Sequence, residues 1–305
     1  MALYRMKDDE LIYVDEEPFK LEKEIQILCE KNLAKLLNLN YVCSEFSINK
    51  FRIDSLAFDI KSQAFVIIEY KRDKNFSVID QGYAYLSLML NNKADFILEY
   101  NESAGRSLKR TEVDWSQSKV IFISPSFTNF QKEAINFKDL PIELWEIKRF
   151  SNDTISFNQV LTKGAIESIR TISLNNEEIE SVSKEIKVYS EDDQLSNGSQ
   201  ETVELYNKLK SYLLNIGDDI SIRPTKLYIG FITSSNFCDV AVLRKSIKVW
   251  LNMSSGHLDD AKKLARDVSE IGHHGNGDYE IQMIDDSEIE YIVSLIKQSY
   301  FFSKK

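Results

Sequence analysis

Apolar residues recur along this 305-residue chain with two periods, and the switches between them mark out its elements. Leu21, Ile25, Leu28 and Leu36 fall at helical spacing, which predicts a helix over about 19–37 with one broad face on a sheet and its acids at the rim. Three β-prone runs follow over about 41–71. Two of them, 51–59 and 64–71, flank the polar Lys61-Ser62-Gln63 and read as a hairpin. The pattern then predicts a helix over about 77–91, a strand at Phe96–Tyr100, a strand at Val120–Ser124, a helix over about 127–137 and a strand at Ile142–Arg149. Interleaved helices and strands of this kind give an α/β fold, a sheet with helices packed on it.

The pattern fades over 175–200, where Asn175-Asn176-Glu177-Glu178 and Ser190-Glu191-Asp192-Asp193 are polar and acidic, as in a linker. The expected organisation is a domain over 1–175, an acidic linker over 176–200 and a smaller α+β domain over 201–305. In the last, the pattern predicts a helix at Glu201–Asn215, strands at Lys226–Thr233, Asp239–Leu243 and Ser246–Asn252, a helix over about 258–267, a strand at Tyr279–Ile284 and a helix at Ser287–Tyr300.

The hairpin carries the candidate chemistry. With Lys61 and Ser62 as its two loop residues, Asp54 lies opposite Glu69 and Arg52 opposite Lys71. Opposed Cβ atoms stand roughly 4.5–5.5 Å apart. Two carboxylates so close suit one divalent cation and ionise together only at a cost without it. Hard oxygen ligands favour Mg²⁺, which can polarise a phosphodiester and help deprotonate a water. Lys71 shares the face of Glu69, two residues away on the strand. On the following helix Ser77 and Asp80 make an approximate capping box, and Gln81 and Tyr85, spaced i, i+4, share one side.

Acid-x-Lys alone is a cheap pattern in a chain that is 28% charged. It recurs at Asp59-Ile60-Lys61, Glu146-Ile147-Lys148, Glu185-Ile186-Lys187 and Asp260-Ala261-Lys262, and its bland meaning is an ion-pair ladder across a half-buried hairpin. The apolar run Ala64–Ile68, the matching Asp54 and the helix bearing Gln81 and Tyr85 set Glu69-Tyr70-Lys71 apart.

Together, Asp54, Glu69-x-Lys71 and Gln81-xxx-Tyr85 resemble the PD-(D/E)xK nuclease superfamily, in its branch with a helical Gln-xxx-Tyr motif. The first motif here reads Arg-Ile-Asp in place of Pro-Asp. The resemblance implies a restriction-endonuclease-like mixed sheet flanked by helices. It also implies a glutamate of the first helix completing the metal site, Glu22 by register rather than Glu24. Phrases such as Val120-Ile121-Phe122-Ile123-Ser124-Pro125 and Ile142-Glu143-Leu144-Trp145-Glu146 extend the resemblance over nearly the whole chain, to a bacterial family that joins a nuclease-like half to a small C-terminal domain of unassigned function.

Charge qualifies this picture. The net charge is −10, whereas nucleic-acid-binding domains often show a basic footprint. Residues 151–200 alone carry 4 Lys and Arg against 9 Asp and Glu, half of the whole excess. Near the hairpin, Arg52, Arg72 and Lys74 are candidate phosphate contacts, as are Arg106, Lys109 and Arg110 in a polar loop. A charge run is otherwise a solvated face, so duplex affinity should be modest and salt-sensitive. Cys29, Cys43 and Cys238 read as buried thiols. The paired His273 and His274 sit in a glycine-rich turn without two further ligands at zinc spacing. Tyr228, Phe231, Phe237 and Trp250, with Arg244, Lys245 and Lys248 nearby, suit either base stacking or a plain core.

The N-terminus lacks the apolar core of a signal peptide and no stretch approaches the roughly 18 apolar residues of a membrane span, so a cytoplasmic protein is expected and a transporter is set aside. Two function classes remain. One is a Mg²⁺- or Mn²⁺-dependent DNA endonuclease whose C-terminal domain selects substrate, a protein partner or a second copy. In it Asp54 and Glu69, with Glu22 and the Tyr70 carbonyl, bind the cation; Lys71 positions the water; Gln81 supports the lysine or the phosphate; and Tyr85 packs on or contacts the backbone. The other is a non-catalytic binding or regulatory module that keeps the fold.

Overall fold

The structure is a computed structural model that describes residues 2–72, 76–105, 107–161, 167–169, 177–233, 235–272 and 275–304. Two compact units divide it, Met1–Val188 and Tyr189–Lys305.

The first unit opens with an antiparallel hairpin of β1 (Leu3–Lys7) and β2 (Glu10–Val14). Then come β3 (Glu16–Glu17), α1 (Glu22–Lys31), α2 (Leu33–Leu37), β4 (Asn40–Ile48), β5 (Phe51–Asp59), β6 (Ala64–Tyr70), α3 (Val78–Asn91), α4 (Lys93–Ala104), β7 (Lys119–Ser124), α5 (Asn129–Ala134), β8 (Ile142–Phe150), β9 (Ile155–Gln159) and α6 (Glu177–Glu185). One sheet runs β3-β8-β7-β6-β5-β4, with β9 also on β8. Strands β6, β7 and β8 are parallel and the other pairs antiparallel, which makes the sheet mixed. Its strands are apolar on both faces because helices cover both. Phe65, Ile67, Phe122 and Leu144 pack with Tyr83, Leu86, Phe96 and Val182 of α3, α4 and α6. Val66, Ile68, Ile121 and Ile123 pack with Ile25 and Cys29 of α1 and Leu33 of α2.

The second unit holds α7 (Glu191–Leu195), α8 (Gln200–Leu214), β10 (Ser221–Pro224), β11 (Ile229–Ile232), β12 (Asn236–Val242), β13 (Ile247–Leu251), β14 (Arg266–Asp267), β15 (Tyr279–Met283) and α9 (Ile289–Phe302). All six strands pair antiparallel in the order β10-β11-β12-β13-β15-β14. α8 and α9 pack on one face through Leu205, Leu209, Ile292 and Ile296.

Several sequence expectations need correction. Phe96–Tyr100 is helical: Phe96 and Tyr100, four apart, are buried in α4, while Leu98 between them is 56% exposed, the opposite of what a strand would do. The first helix breaks at Asn32, whose side chain bonds the Leu28 carbonyl. Leu21 is exposed, and the buried face is Ile25, Gln26 and Cys29. The expected linker contains α6 and α7; Ile179, Val182 and Ile186, at helical spacing, are buried with the first unit's core. Residues 258–265 form turns and irregular chain leading into β14 in place of a helix, because the Asp260 carboxylate accepts from the Ala265 N–H and the Tyr291 hydroxyl. Strands β9 and β10 and the β1–β2 hairpin were not anticipated. Tyr228, Phe231, Phe237 and Trp250 are buried, so they are core and not a stacking platform. His273 and His274 lie outside the described residues.

All three cysteines are free. Burial pushes the Cys29 thiol up to about 12 and raises those of Cys43 and Cys238 too. Among the described residues no helix is long and apolar enough to cross a membrane.

Candidate functional site

The site forms where β5 and β6 end together under the first turns of α3. The β5–β6 ladder runs from Asp59↔Ala64 to Ser55↔Ile68, so the next position in the same register sets Asp54 against Glu69. The connection is longer than the two residues expected: 60–63 form the turn, with Gln63 at φ 51° and the Asp59 carboxylate accepting from the Lys61 and Ser62 N–H groups. Lengthening the loop symmetrically left the register unchanged. Beyond the ladder, the Asp54 carboxylate accepts from the Tyr70 N–H at 3.0 Å.

Glu69 points towards α3, the alternation that puts Phe65 and Ile67 there too. It is 4% exposed. Its Oε1 accepts from Lys71 Nζ at 2.7 Å and from Gln81 Nε2 at 3.0 Å. Ser77 caps α3 by accepting the Asp80 N–H, fixing the turn that carries Gln81. Gly82 lets that helix sit close to the sheet, since a Cβ there would meet Ile142 Cδ1 at 2.4 Å. One turn later the Tyr85 hydroxyl accepts from Gln81 Nε2 at 3.3 Å and donates to the Arg52 carbonyl at 3.4 Å. Burial, then the negative charge of Glu69, raises the Tyr85 phenol well above its ordinary value. Lys71 Nζ also lies over the Phe76 ring, 5.7 Å from its centre.

Two features of the acids bear on whether a cation would fit them. The Asp54 carboxyl is pushed up to about 6 by burial and then by the charge of Glu69, against the pull of the Tyr70 N–H and Lys71. Glu69 Oε2 is buried without a hydrogen-bond partner, a costly state for a carboxylate oxygen. A hard divalent cation relieves both, and Mg²⁺ is commonly held by one or two carboxylates plus substrate phosphates. Asp54 and Glu69 therefore fit the metal that the resemblance implies.

The other expected residues divide. Glu22 does not join the pair: its Oε1 accepts from the Arg72 N–H at 2.9 Å, and among the described residues no group of three or more His, Cys, Asp and Glu is arranged around a metal position. Glu24 accepts from the Lys20 N–H and faces Arg149 at 3.7 Å. Arg52, expected opposite Lys71, turns to Glu45 at 2.9 Å. Arg72 Nη1 donates to the Lys20 carbonyl. Lys109 and Arg110 belong to a segment tied to Asn101 of α4 through Leu108 and to the Gln63 turn through Asp114. That turn is at the far end of β6, eight residues or about 26 Å from Lys71. Lys74 and Arg106 lie outside the described residues.

The sequence reading missed a supporting layer. Gln26 of α1, nearly buried, donates from Nε2 to the Asp54 carbonyl at 2.9 Å and to Glu30, which also accepts from Ser55 Oγ at 2.6 Å. The β4–β5 ladder passes from Ser44↔Ser55 to Phe46↔Ile53, leaving Glu45 opposite Asp54. The turn at Asn49-Lys50, with Asn49 at φ 53°, was the legible signal for that register.

Residues 191–303 match the family described as "Domain of unknown function (DUF5655)". Among solved structures, a repair endonuclease from Pyrococcus abyssi aligns with 44% of this chain and 60% of its own at 16% identity and a TM-score of 0.23. EndoMS bound to double-stranded DNA aligns with 48% and 64% at 16% identity and a TM-score of 0.22. At such scores these likenesses are too loose to extend to this chain, which spans under two thirds of either. A protein of Haemophilus influenzae described as "Uncharacterized protein" is 51% identical over 299 residues, 98% of this chain and 99% of that one. With half its residues shared from end to end, the chain belongs to the same family as that Haemophilus influenzae protein.

Proposed function

We propose that the first unit is a metal-dependent nuclease of the PD-(D/E)xK type, Gln-xxx-Tyr branch, that hydrolyses phosphodiester bonds in DNA. The observation that carries this is the buried, unpartnered Oε2 of Glu69 beside Asp54. Two buried carboxylates crowded together with few donors are what a hard cation would satisfy.

In this reading Asp54 and Glu69, with the Tyr70 carbonyl, hold Mg²⁺ or Mn²⁺. The cation would supply Lewis acidity at the phosphorus-bound oxygen and make a bound water more acidic. Lys71, anchored on Glu69, directs its ammonium at the attacking water and balances charge. Gln81 fixes the Glu69 oxygen that Lys71 uses, so that the other oxygen would be left to hold the cation. Tyr85 ties this helix to the Arg52 backbone and keeps strand and helix in step. The second unit is assigned the choice of substrate, partner or second copy. The compartment is the cytoplasm, where free thiols such as those here persist.

Cleavage of duplex, single-stranded, branched and modified DNA with Mg²⁺ or Mn²⁺ tests the reading. Wild type should cut at least one, and Glu69→Ala and Lys71→Ala should each lose about 10²–10⁴-fold in rate. A wild type that cuts none of them, or variants that cut as well as it does, would leave the non-catalytic module as the function.

A further inference from the structure

We propose that Lys23 and Arg52, clamped together on Glu45 beside the acid pair, are the phosphate-contacting edge of the site, and that Glu45 is the positioning residue that holds both cations for a DNA strand. The inference rests on the nuclease reading and names how its substrate is gripped. Glu45 lies on β4 opposite Asp54 of β5. Its backbone is left-handed, φ 55°, a conformation that costs energy for any residue but glycine. There its carboxylate accepts from Lys23 Nζ of α1 and forms an ion pair with Arg52 Nε of β5, each at 2.9 Å.

Both residues are linked to the acids, Lys23 through one residue and the Arg52 backbone through two. Lys23 Nζ also donates to Gln26 Oε1 at 3.2 Å, and the same Gln26 holds the Asp54 carbonyl. The Arg52 carbonyl receives the Tyr85 hydroxyl, whose partner Gln81 holds Glu69. Yet the side chains of Lys23 and Arg52 stay 52% and 68% exposed. Exposed ion pairs contribute little to stability, so folding alone gives no return for a strained residue serving two of them. Phosphate oxygens do: an arginine fork and an ammonium standing side by side suit the backbone of one strand. The grouping also explains how a chain of net charge −10 engages a polyanion, by a local pair of cations held ready at the acids.

Binding of a labelled DNA duplex to the full chain, measured by anisotropy in chelator across a salt series, tests this. Each of Lys23→Ala and Arg52→Ala should lower the slope of log K against log salt by about 0.9, and the double variant by about 1.8. Glu45→Gln should bind about threefold more weakly although it loses a negative charge, because neither cation is then held in place, on the scale of one exposed ion pair. That loss should vanish in the Lys23→Ala/Arg52→Ala background and be absent from Glu102→Gln, which removes a charge from the exposed face of α4. Thermal melting checks that each variant is folded; the two cation variants, being exposed, keep the test standing if Glu45→Gln does not fold. Unchanged slopes in a protein that still cuts DNA overturn this inference and leave the nuclease reading intact. A folded Glu45→Gln that binds as well or tighter, or loses as much without the cations, overturns its positioning role. A wild type that neither binds nor cuts DNA overturns both.

Discussion

Glu69-Tyr70-Lys71 and Glu146-Ile147-Lys148 place one residue pattern on two parallel strands of the same sheet, β6 and β8, yet their surroundings separate them. Glu146 sits near the surface, its Oε1 paired with Lys132 Nζ at 2.8 Å and the Phe127 N–H at 3.3 Å; Lys148 leaves it for Glu16 at 2.6 Å. Glu69 is buried, bonds its own Lys71, and keeps one oxygen unpartnered with a second acid opposite. The difference teaches that the tripeptide carries no chemistry. What separates the two is whether the sheet buries the acid, beside its own lysine and a second carboxylate.

The sharpest way to break this contrast is activity. Lys71→Ala is expected to lose about 10²–10⁴-fold in DNA cleavage, and Lys148→Ala to stay within about twofold; equal losses would erase the distinction. Stability extends it to the second unit. Asp239 of β12 is fully buried, like Glu69 nearly so, but accepts from Asn236 Nδ2 at 2.6 Å and from the N–H and Nδ2 of Asn276 at 2.7 and 2.8 Å. Asp239→Ala strands those donors and should cost about 3 kcal/mol in denaturant unfolding. Glu69→Gln removes one of two crowded charges and should cost less than about 1 kcal/mol or stabilise, the usual mark of an acid kept for function. A larger loss at Glu69 than at Asp239 would make both acids structural.

Acidity gives the next effect. The folded state raises the Asp54 carboxyl to about 6, above an unfolded value of about 3.9, so folded Asp54 binds its proton more tightly. Its contribution to stability is therefore fully present below about pH 4 and is lost as pH climbs through 6, by on the order of 3 kcal/mol. Asp54→Asn should flatten that part of the stability profile. Above pH 6, Mg²⁺ should raise the melting temperature of wild type and not of Asp54→Asn; an equal rise in both would place the cation elsewhere. The smallest effect belongs to the surface: Lys148→Ala breaks its pair with Glu16 and should cost under about 1 kcal/mol.

Much of the site could be read along the chain because it is local. Asp54, Glu69 and Lys71 lie on one hairpin, where alternation fixes which side chains share a face, and a four-residue turn kept the same register as a two-residue one. Gln81 and Tyr85 sit one turn apart on a capped helix, so their common side follows from helical spacing. Reading failed where contacts span elements. Glu22 was placed at the metal by analogy, whereas its Oε1 accepts from the Arg72 N–H. Phe96–Tyr100 looked β-prone in five residues, and only its packing on Phe58 and Phe65 shows the helical period. The acidic stretch after residue 175 hid Val182 and Ile186, whose burial depends on a core built from distant strands.

The sequence by itself determined which strands and helix carry the acids, the lysine and the glutamine, and that the two acids face each other, because period and register are local properties of the backbone. Only the tertiary structure decided that Glu69 keeps an oxygen unpaired, that Asp54 is buried enough to hold its proton to about 6, and that Glu45 gathers Lys23 and Arg52 from separate elements. Desolvation and ion pairing depend on what the rest of the chain brings against a residue, and spacing along the chain does not encode that.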